Sequence, residues 1–114
     1  MNRLLRAFAC VIPLCAAAQV AQSAPQSFTT NIARIYSLSN GNLTLLMTSD
    51  DPACTSINSP HYYKVVLGEN GVTADGLRLI YATAMTAVAL GRQVSLYFDD
   101  ATSNCFVEQI LLRQ

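Results

Sequence analysis

The fold is decided by residues 74–98, ADGLRLIYATAMTAVALGRQVSLYF, where the hydrophobic pattern changes from a helical to a strand period. Over 74–90 apolar side chains recur every three or four residues, which predicts one helix. Over 92–98 apolar and polar side chains alternate, which predicts a strand. The helical stripe consists of Leu77, Ile80, Tyr81, Ala84 and Val88, and the inner strand face of Val94, Leu96 and Phe98.

The opposite side of the predicted helix carries no charge, and Arg78 is the only charged residue in the helix body. Thr73 or Asp75 is the predicted N-cap, and Gly91 stands where a helix-ending glycine belongs. Because a helix on a small domain normally shows a polar face to water, we expect this side to be covered by self-association. The alternative is that small side chains are tolerated on a wet face. The uncharged positions are Leu79, Ala82, Thr83, Met85, Thr86 and Ala89.

Four further strands are predicted, while residues 24–29 are expected to form a loose N-terminus. Asn40-Gly41 lies between the first two apolar runs and predicts a hairpin with a type I′ turn, which needs positive φ at both residues. The four strands are 31–38, 43–48, 62–67 and 106–112. In the last one, Phe106, Glu108, Ile110 and Leu112 are expected to share one face.

The predicted order is therefore three strands, one helix and two strands, which makes the fold class mainly β with one helix (α+β). This is the order of an OB-fold-like five-stranded Greek-key barrel, in which the helix joins the third and fourth strands. An open α+β sheet with the same order is the main alternative. We expect residues 24–114 to form this single domain.

Residues 1–23 are predicted to be a secretory signal peptide. Arg3 and Arg6 begin an apolar stretch that is too short for a membrane-spanning helix. Small residues favour cleavage after Ala18 or after Ser23, and an uncleaved anchor is the alternative. The mature protein is then expected to be secreted or periplasmic, with no membrane span.

Cleavage leaves two of the four cysteines, Cys54 and Cys105. In an oxidising compartment we expect them to bond to each other and close a loop of about 50 residues, for which chain entropy gives roughly 4 kcal/mol of stabilisation. A metal pair and a reactive thiol are the alternatives. Two distant cysteines and one histidine make a poor zinc site.

The charge of the chain argues against a nucleic-acid partner. Seven basic and seven acidic residues give a formal net charge of zero, and removal of Arg3 and Arg6 leaves five against seven. Nucleic-acid binders need clustered positive charge instead. No nucleophile elbow, Walker or dinucleotide motif is present, so we predict no catalytic residue and no cofactor. The only histidine, His61, is expected to be a surface or capping residue.

Two acidic pairs precede the cysteines, and a disulfide would bring them into one region. Converging carboxylates suit a calcium ion, although aspartates of this kind more often form loop turns. We therefore predict no metal site and keep the four residues only as weak candidates. They are Asp50, Asp51, Asp99 and Asp100.

Tyr62 and Tyr97 are the candidate ligand-binding residues. Both are predicted to point away from the core faces of their strands. An exposed tyrosine near hydroxyl and amide side chains can stack on a sugar and bind its hydroxyl groups. The alternative is that both are ordinary half-buried aromatic residues of a sheet.

Cys54 precedes a predicted strand, and the helix, which includes Leu-Ile-Tyr-Ala at 79–82, ends in Gly91-Arg92-Gln93-Val94. In this layout the chain resembles the binding subunits of bacterial AB-type toxins, those of subtilase cytotoxin and typhoid toxin, and related small secreted proteins. The resemblance covers roughly residues 54–110. It implies an OB fold, a ring of five subunits with the helices around a central channel, recognition of sialylated glycans, and a toxin A-type subunit as a partner.

The chain departs from these toxin subunits in its shorter length and its single predicted disulfide. The glycan-contacting serine of their first strand has no counterpart within 31–38, so no sugar-binding residue is carried over. Our hypothesis is a non-catalytic, homo-oligomeric module that binds a glycan or a protein partner. The alternative is a periplasmic inhibitor or immunity-type protein that blocks an enzyme through loops 50–60 and 99–104.

Overall fold

The computed structural model describes residues 25–114, so the predicted signal peptide and its cleavage points lie outside the described residues. The elements are β1 (Gln26–Thr30), β2 (Ile32–Ser37), β3 (Leu43–Met47), β4 (Tyr63–Val65), α1 (Ala74–Leu90), β5 (Val94–Phe98) and β6 (Val107–Leu112), with a 3₁₀ turn at Glu69–Gly71.

The fold is mixed α+β, with one helix and six strands in two antiparallel sheets of order β1-β5-β6 and β2-β3-β4. The α+β class with a single helix is confirmed within the described residues. The predicted closed five-stranded barrel is not formed by these strands. Between β4 and the segment before β6 there is one backbone hydrogen bond, from Lys64 N–H to the Cys105 carbonyl at 3.3 Å, instead of a ladder. β4 is short because the chain turns at Gly68, where φ is 87°.

The loose N-terminus predicted over 24–29 is wrong for residues 26–29, because β1 pairs along its whole length with β5, while residue 24 lies outside the described residues. The polar composition of β1 concealed this strand. Its two threonine hydroxyls are paired within the structure, as Thr29 Oγ1 lies 2.8 Å from Ser95 Oγ and Thr30 Oγ1 lies 2.9 Å from Thr48 Oγ1. Phe28 supplies the inward aromatic ring of the strand and packs against the core.

The hairpin between β2 and β3 is confirmed, but its turn is not type I′. Gly41 has a φ of 88°, whereas Asn40 is not among the residues with positive φ. Gly41 N–H donates to the Leu38 carbonyl, and Leu38 N–H donates to the Asn42 carbonyl, both at 2.9 Å. This is a three-residue hairpin loop closed by one left-handed glycine.

The helix α1 spans the predicted residues, and the Thr73 side chain is its N-cap, accepting a hydrogen bond from Gly76 N–H at 3.0 Å. Gly91 ends the helix with a φ of 64°. The buried helical side chains are Ile80, Ala84 and Ala87. The predicted stripe is therefore correct in its centre, while its flanking members Tyr81 and Val88 are exposed.

The core lies between the two sheets and under the helix. β3 is buried at every position. In β6, the predicted alternation of inward and outward side chains is interrupted by a β-bulge. The register passes from Tyr97↔Gln109 to Phe98↔Val107, so Glu108 is the extra residue and Val107 turns inward. The largest fully buried side chains are Tyr63, Phe98, Leu45, Met47, Leu96, Val65, Val94 and Val107.

The predicted disulfide joins Cys54 to Cys105, with 5.6 Å between the two Cα atoms. Both cysteines are buried in the core cluster. The bond connects the long loop before β4 to the loop between β5 and β6. It therefore ties these two loops to each other covalently, which adds stability to a domain whose core is small.

We expect Thr73→Ala to lower the free energy of unfolding by about 1 kcal/mol, because Gly76 N–H loses its cap acceptor. Urea unfolding followed by circular dichroism measures the change. Thr83→Ala is the matched control, since the Thr83 hydroxyl only bonds back to the Leu79 carbonyl within the helix. An equal loss in both variants would contradict the capping role.

Candidate functional site

The first acidic pair organises the loop that carries Cys54. The Asp50 carboxylate accepts a hydrogen bond from the backbone N–H of His61 at 3.1 Å. Asp51 Oδ1 accepts one from the backbone N–H of Ala53 at 2.8 Å. Asp51 N–H in turn donates to the Tyr63 hydroxyl oxygen at 3.0 Å. These contacts are those of loop-forming aspartates.

The second acidic pair has the same kind of role in the loop before Cys105. Asp99 Oδ1 accepts the Ala101 N–H at 2.6 Å, and Asp100 Oδ2 accepts from the Gln26 side-chain amide at 3.3 Å. Over residues 25–114, no three His, Cys, Asp or Glu side chains are grouped so that they could hold a metal ion. Asp51 and Asp99 are thus turn residues within their loops, whereas Asp50 and Asp100 hold the loops to His61 and Gln26.

His61 lies beside Asp50, and its ring centroid is 6.4 Å from that of Tyr63. Its Nδ1 is buried without a hydrogen-bond partner, 3.9 Å from Asp50 Oδ1. Nucleophilic catalysis needs a hydroxyl or thiol within hydrogen-bond reach of the base, and none in the described chain is bonded to this imidazole. A non-catalytic role for the protein stays a prediction.

Tyr63 is the central aromatic residue of the core. Its side chain is fully buried, and its ring lies 5.3 Å from that of Phe28 and 5.4 Å from that of Phe98, measured between centroids. Burial raises the pKa of its phenol to about 12, and the negative charges of Asp50 and Asp51 act in the same direction. The hydrogen bond from Asp51 N–H opposes this shift by stabilising the phenolate.

The two candidate tyrosines lie in different parts of the fold. Tyr97 is in β5, level with Ser27 of β1 and Gln109 of β6. Tyr62 precedes β4 and is therefore on the side of the other sheet. Both are half-buried. The structure thus does not bring Tyr62 and Tyr97 together, and each tyrosine belongs to a separate surface.

Tyr62 is part of an aromatic cleft that we define by Tyr36, Leu38, Thr44 and Tyr62. The Tyr36 and Tyr62 rings are 6.3 Å apart at a tilt of 49°, and the cleft has a volume of about 230 Å³. Tyr36 stands opposite Thr44 in the β2–β3 ladder, on the outer face of the sheet. Tyr36 is not among the candidate residues predicted from the sequence, although the hairpin at Asn40-Gly41 already pairs its strand with β3.

The outward side of α1 is uncharged and largely apolar beyond its first turn. Leu79 is 69% exposed, Leu90 60%, Val88 48% and Met85 45%. The hydroxyl groups of Thr83 and Thr86 bond back to the carbonyls of the preceding helical turn, at 2.9 and 2.8 Å. Because these hydroxyls are already satisfied, the two threonines add little polar character to the surface. The charged residues Asp75 and Arg78 pair with each other at the start of the helix, 3.5 Å apart.

The loop between β3 and β4 presents one apolar side chain to solvent, Ile57, which is 95% exposed. The loop around it is held in place. The Ser56 hydroxyl accepts hydrogen bonds from Asn58 N–H at 3.3 Å and Tyr62 N–H at 3.2 Å, and the disulfide at Cys54 anchors its first half. Ile57 is thus displayed by an ordered loop.

Comparisons with protein-family models, curated proteins and solved structures found no match for this chain. Within residues 25–114, α1 is neither long nor apolar enough to cross a membrane. The functional assignment therefore depends on the surfaces described above.

Burial of Tyr63 predicts a loss of stability at alkaline pH. Its pKa rises from 10.0 in the unfolded chain to about 12 in the folded chain. The stabilisation from the neutral phenol is therefore complete below pH 10 and is lost as the pH rises towards 12. We expect the free energy of unfolding to fall by about 1 kcal/mol between pH 9 and pH 11.

Urea unfolding at a series of fixed pH values measures this slope, which is the change in the free energy of unfolding with pH. Tyr63→Phe should reduce it, although the variant is less stable at every pH because Asp51 N–H loses its acceptor. Tyr97→Phe, the control, should keep the slope of the unmodified protein. If the free energy of unfolding falls with pH equally in the unmodified protein and in Tyr63→Phe, the assignment of the alkaline loss of stability to Tyr63 is refuted.

Proposed function

We propose that the protein is a secreted or periplasmic, non-catalytic binding module that acts as a homo-oligomer, in the manner of a toxin B subunit, and recognises a glycan or a protein partner. The observation that carries the proposal is the exposed outward side of α1 beyond its first turn, which carries no charge. A pentameric ring and a toxin A-type subunit as partner belong to the same proposal.

The helix supports self-association because its outward side beyond the first turn carries no charge. By the 100° rotation per residue, Leu79 and Leu90 lie on one shoulder of the helix and Met85 and Val88 on the other, with the small exposed side chains of Ala82 and Ala89 between them. Large apolar patches of this kind on a small protein mark interaction surfaces. A second copy offers the same uncharged surface, so two helices can pack without burying an unpaired charge.

The arrangement of the strands supports an OB-like module. β1 and β2 are separated only by Asn31, and they pair with β5 and β3 respectively, so one run of chain links both sheets. If β1 and β2 count as one bent strand, this first strand is shared between the two sheets and the helix follows the third strand. The proposed five-stranded order requires both features.

The alternative function, an inhibitor or immunity-type protein, is favoured by the loop that carries Ile57. A projecting apolar side chain on a loop that is already ordered can enter a pocket of a partner at a low entropic cost. This protein would be monomeric or dimeric in isolation, and its partner would be one enzyme. Solution mass therefore separates the two functions.

We expect the mature protein, beginning at Ala24, to elute as an oligomer in size-exclusion chromatography with light scattering, with a mass near five subunits if the toxin-like ring forms. Leu79→Lys places a charge on the exposed helix side and should shift the mass towards the monomer. Unchanged circular dichroism would show that the variant still folds.

Ile57→Lys is the matched control, because it replaces an even more exposed apolar side chain on a different surface. It should leave the oligomer intact. A monomeric unmodified protein, or an oligomer that survives Leu79→Lys and is dissociated by Ile57→Lys, would be inconsistent with the helix as the interface.

A further inference from the structure

The outer face of the sheet β2-β3-β4 carries two cations beside the aromatic cleft. Side chains of a strand alternate between its two faces, so Arg34 shares the face of Tyr36. In the register of the three strands, Lys64 is level with Thr44, and Thr44 is level with Tyr36. Arg34 and Lys64 therefore flank the aromatic cleft from the two outer strands of the sheet.

These three strands contain no acidic side chain that could balance the two cations. Neither aspartate nor glutamate occurs in β2, β3 or β4. Lys64 Nζ donates a hydrogen bond to the neutral side chain of Asn104 at 3.0 Å. Within residues 25–114, neither Arg34 nor Lys64 forms an ion pair with a carboxylate. The charge of this face is therefore complementary to an acidic ligand.

Two outer-face residues of the middle strand are buried beneath the side chains of their neighbours. Leu46 is opposite Arg34, and Thr44 is opposite Tyr36. Both alternate with the core residue Leu45 and so point outward, yet they are only 5% and 6% exposed. The longer side chains on either side of β3 thus rise above it and form the walls of a cleft whose floor is Thr44.

The size of the aromatic cleft fits one large side chain of a partner. Its volume of about 230 Å³ is below the range of about 300–1,000 Å³ that sites for small molecules usually have. A phenylalanine or leucine side chain can pack in it against the rings of Tyr36 and Tyr62. Tyrosine and arginine are also among the residues that most often dominate protein–protein interfaces. The cleft therefore suits the anchor side chain of a protein segment better than a whole sugar or cofactor.

The positions of the two cations set the spacing of the acidic groups that can reach them. Arg34 and Lys64 are separated by two inter-strand steps, about 10 Å, and by two residues along the strands, about 7 Å. The diagonal between them is therefore about 12 Å. In an extended peptide, side chains four residues apart lie on the same face at about 13 Å, which matches this diagonal. An anchor side chain midway between them lies on that face too.

We propose that the outer face of β2-β3-β4 binds an extended, acidic segment of a protein partner. One aromatic or aliphatic side chain of the segment occupies the aromatic cleft. Acidic residues two positions before and two positions after this anchor pair with Arg34 and Lys64. The inference rests on the proposed function as a binding module, and it names a protein segment rather than a glycan as the ligand.

Selection from a phage-displayed library of random dodecapeptides on the immobilised mature protein tests the proposal. The enriched peptides should be negatively charged, with acidic residues two positions before and after an aromatic or aliphatic residue. A synthetic enriched peptide is then titrated by fluorescence polarisation. Its affinity should fall about tenfold when NaCl is raised from about 0.1 M to about 1 M, because salt screens the charge pairs.

Variants of the sheet face test the site itself. Arg34→Glu should weaken the enriched peptide about tenfold, and so should Tyr36→Thr, which keeps a strand-forming residue at this position. Arg92→Glu is the matched control and should leave the affinity unchanged, because Arg92 is exposed between α1 and β5. Selection on the double variant Arg34→Glu, Lys64→Glu should enrich basic peptides instead of acidic ones.

The inference is overturned if no acidic peptide is enriched, or if Arg92→Glu weakens the peptide as much as Arg34→Glu does. Displacement of the peptide by sialyllactose or cellohexaose would overturn it too, since the cleft would then be a sugar site. The mass from light scattering is read separately. An oligomer that enriches no acidic peptide would refute this inference and keep the proposed assembly. A monomer that binds the peptide through Arg34 and Tyr36 would do the reverse.

Discussion

The covalent bond between Cys54 and Cys105 is the constraint on which the rest of the structure depends. It lies where the two sheets share no ladder in the described chain, beside the hydrogen bond from Lys64 N–H of β4 to the Cys105 carbonyl. The cysteines are 51 residues apart, and closing a loop of that length contributes roughly 4 kcal/mol by chain entropy. This is a large share of the stability of a small domain, so the bond permits a core of two short sheets and one helix.

Such a small core leaves part of its apolar composition on the surface. α1 buries Ile80, Ala84 and Ala87 against the sheets, two of which are alanines, so the helix lies close to the sheets and directs its larger side chains outward. Tyr36 and Tyr62 lie together on the outer face of β2-β3-β4, away from the core. The apolar outward side of α1 is thus a consequence of the small core, and our proposal assigns it to assembly.

Much of this fold was predictable from periodicity and turn chemistry. The bounds of α1, its cap at Thr73, the hairpin glycine and the inner face of β5 all follow from local patterns that tertiary contacts did not override. β1 was missed because its polar side chains pair with Ser95 and Thr48, which are distant in sequence. The β-bulge at Glu108 and the contact between Tyr36 and Tyr62 depend on register, which no single segment encodes.

The central claim is that a second copy of the chain covers the outward side of α1. Double electron–electron resonance on Thr86→Cys carrying a spin label tests this claim directly, since Thr86 is exposed on that side. The account predicts a defined distance between labels on different copies, shorter than for a label at Ile57→Cys. Signals at both positions that contain only the background of separate molecules would contradict it.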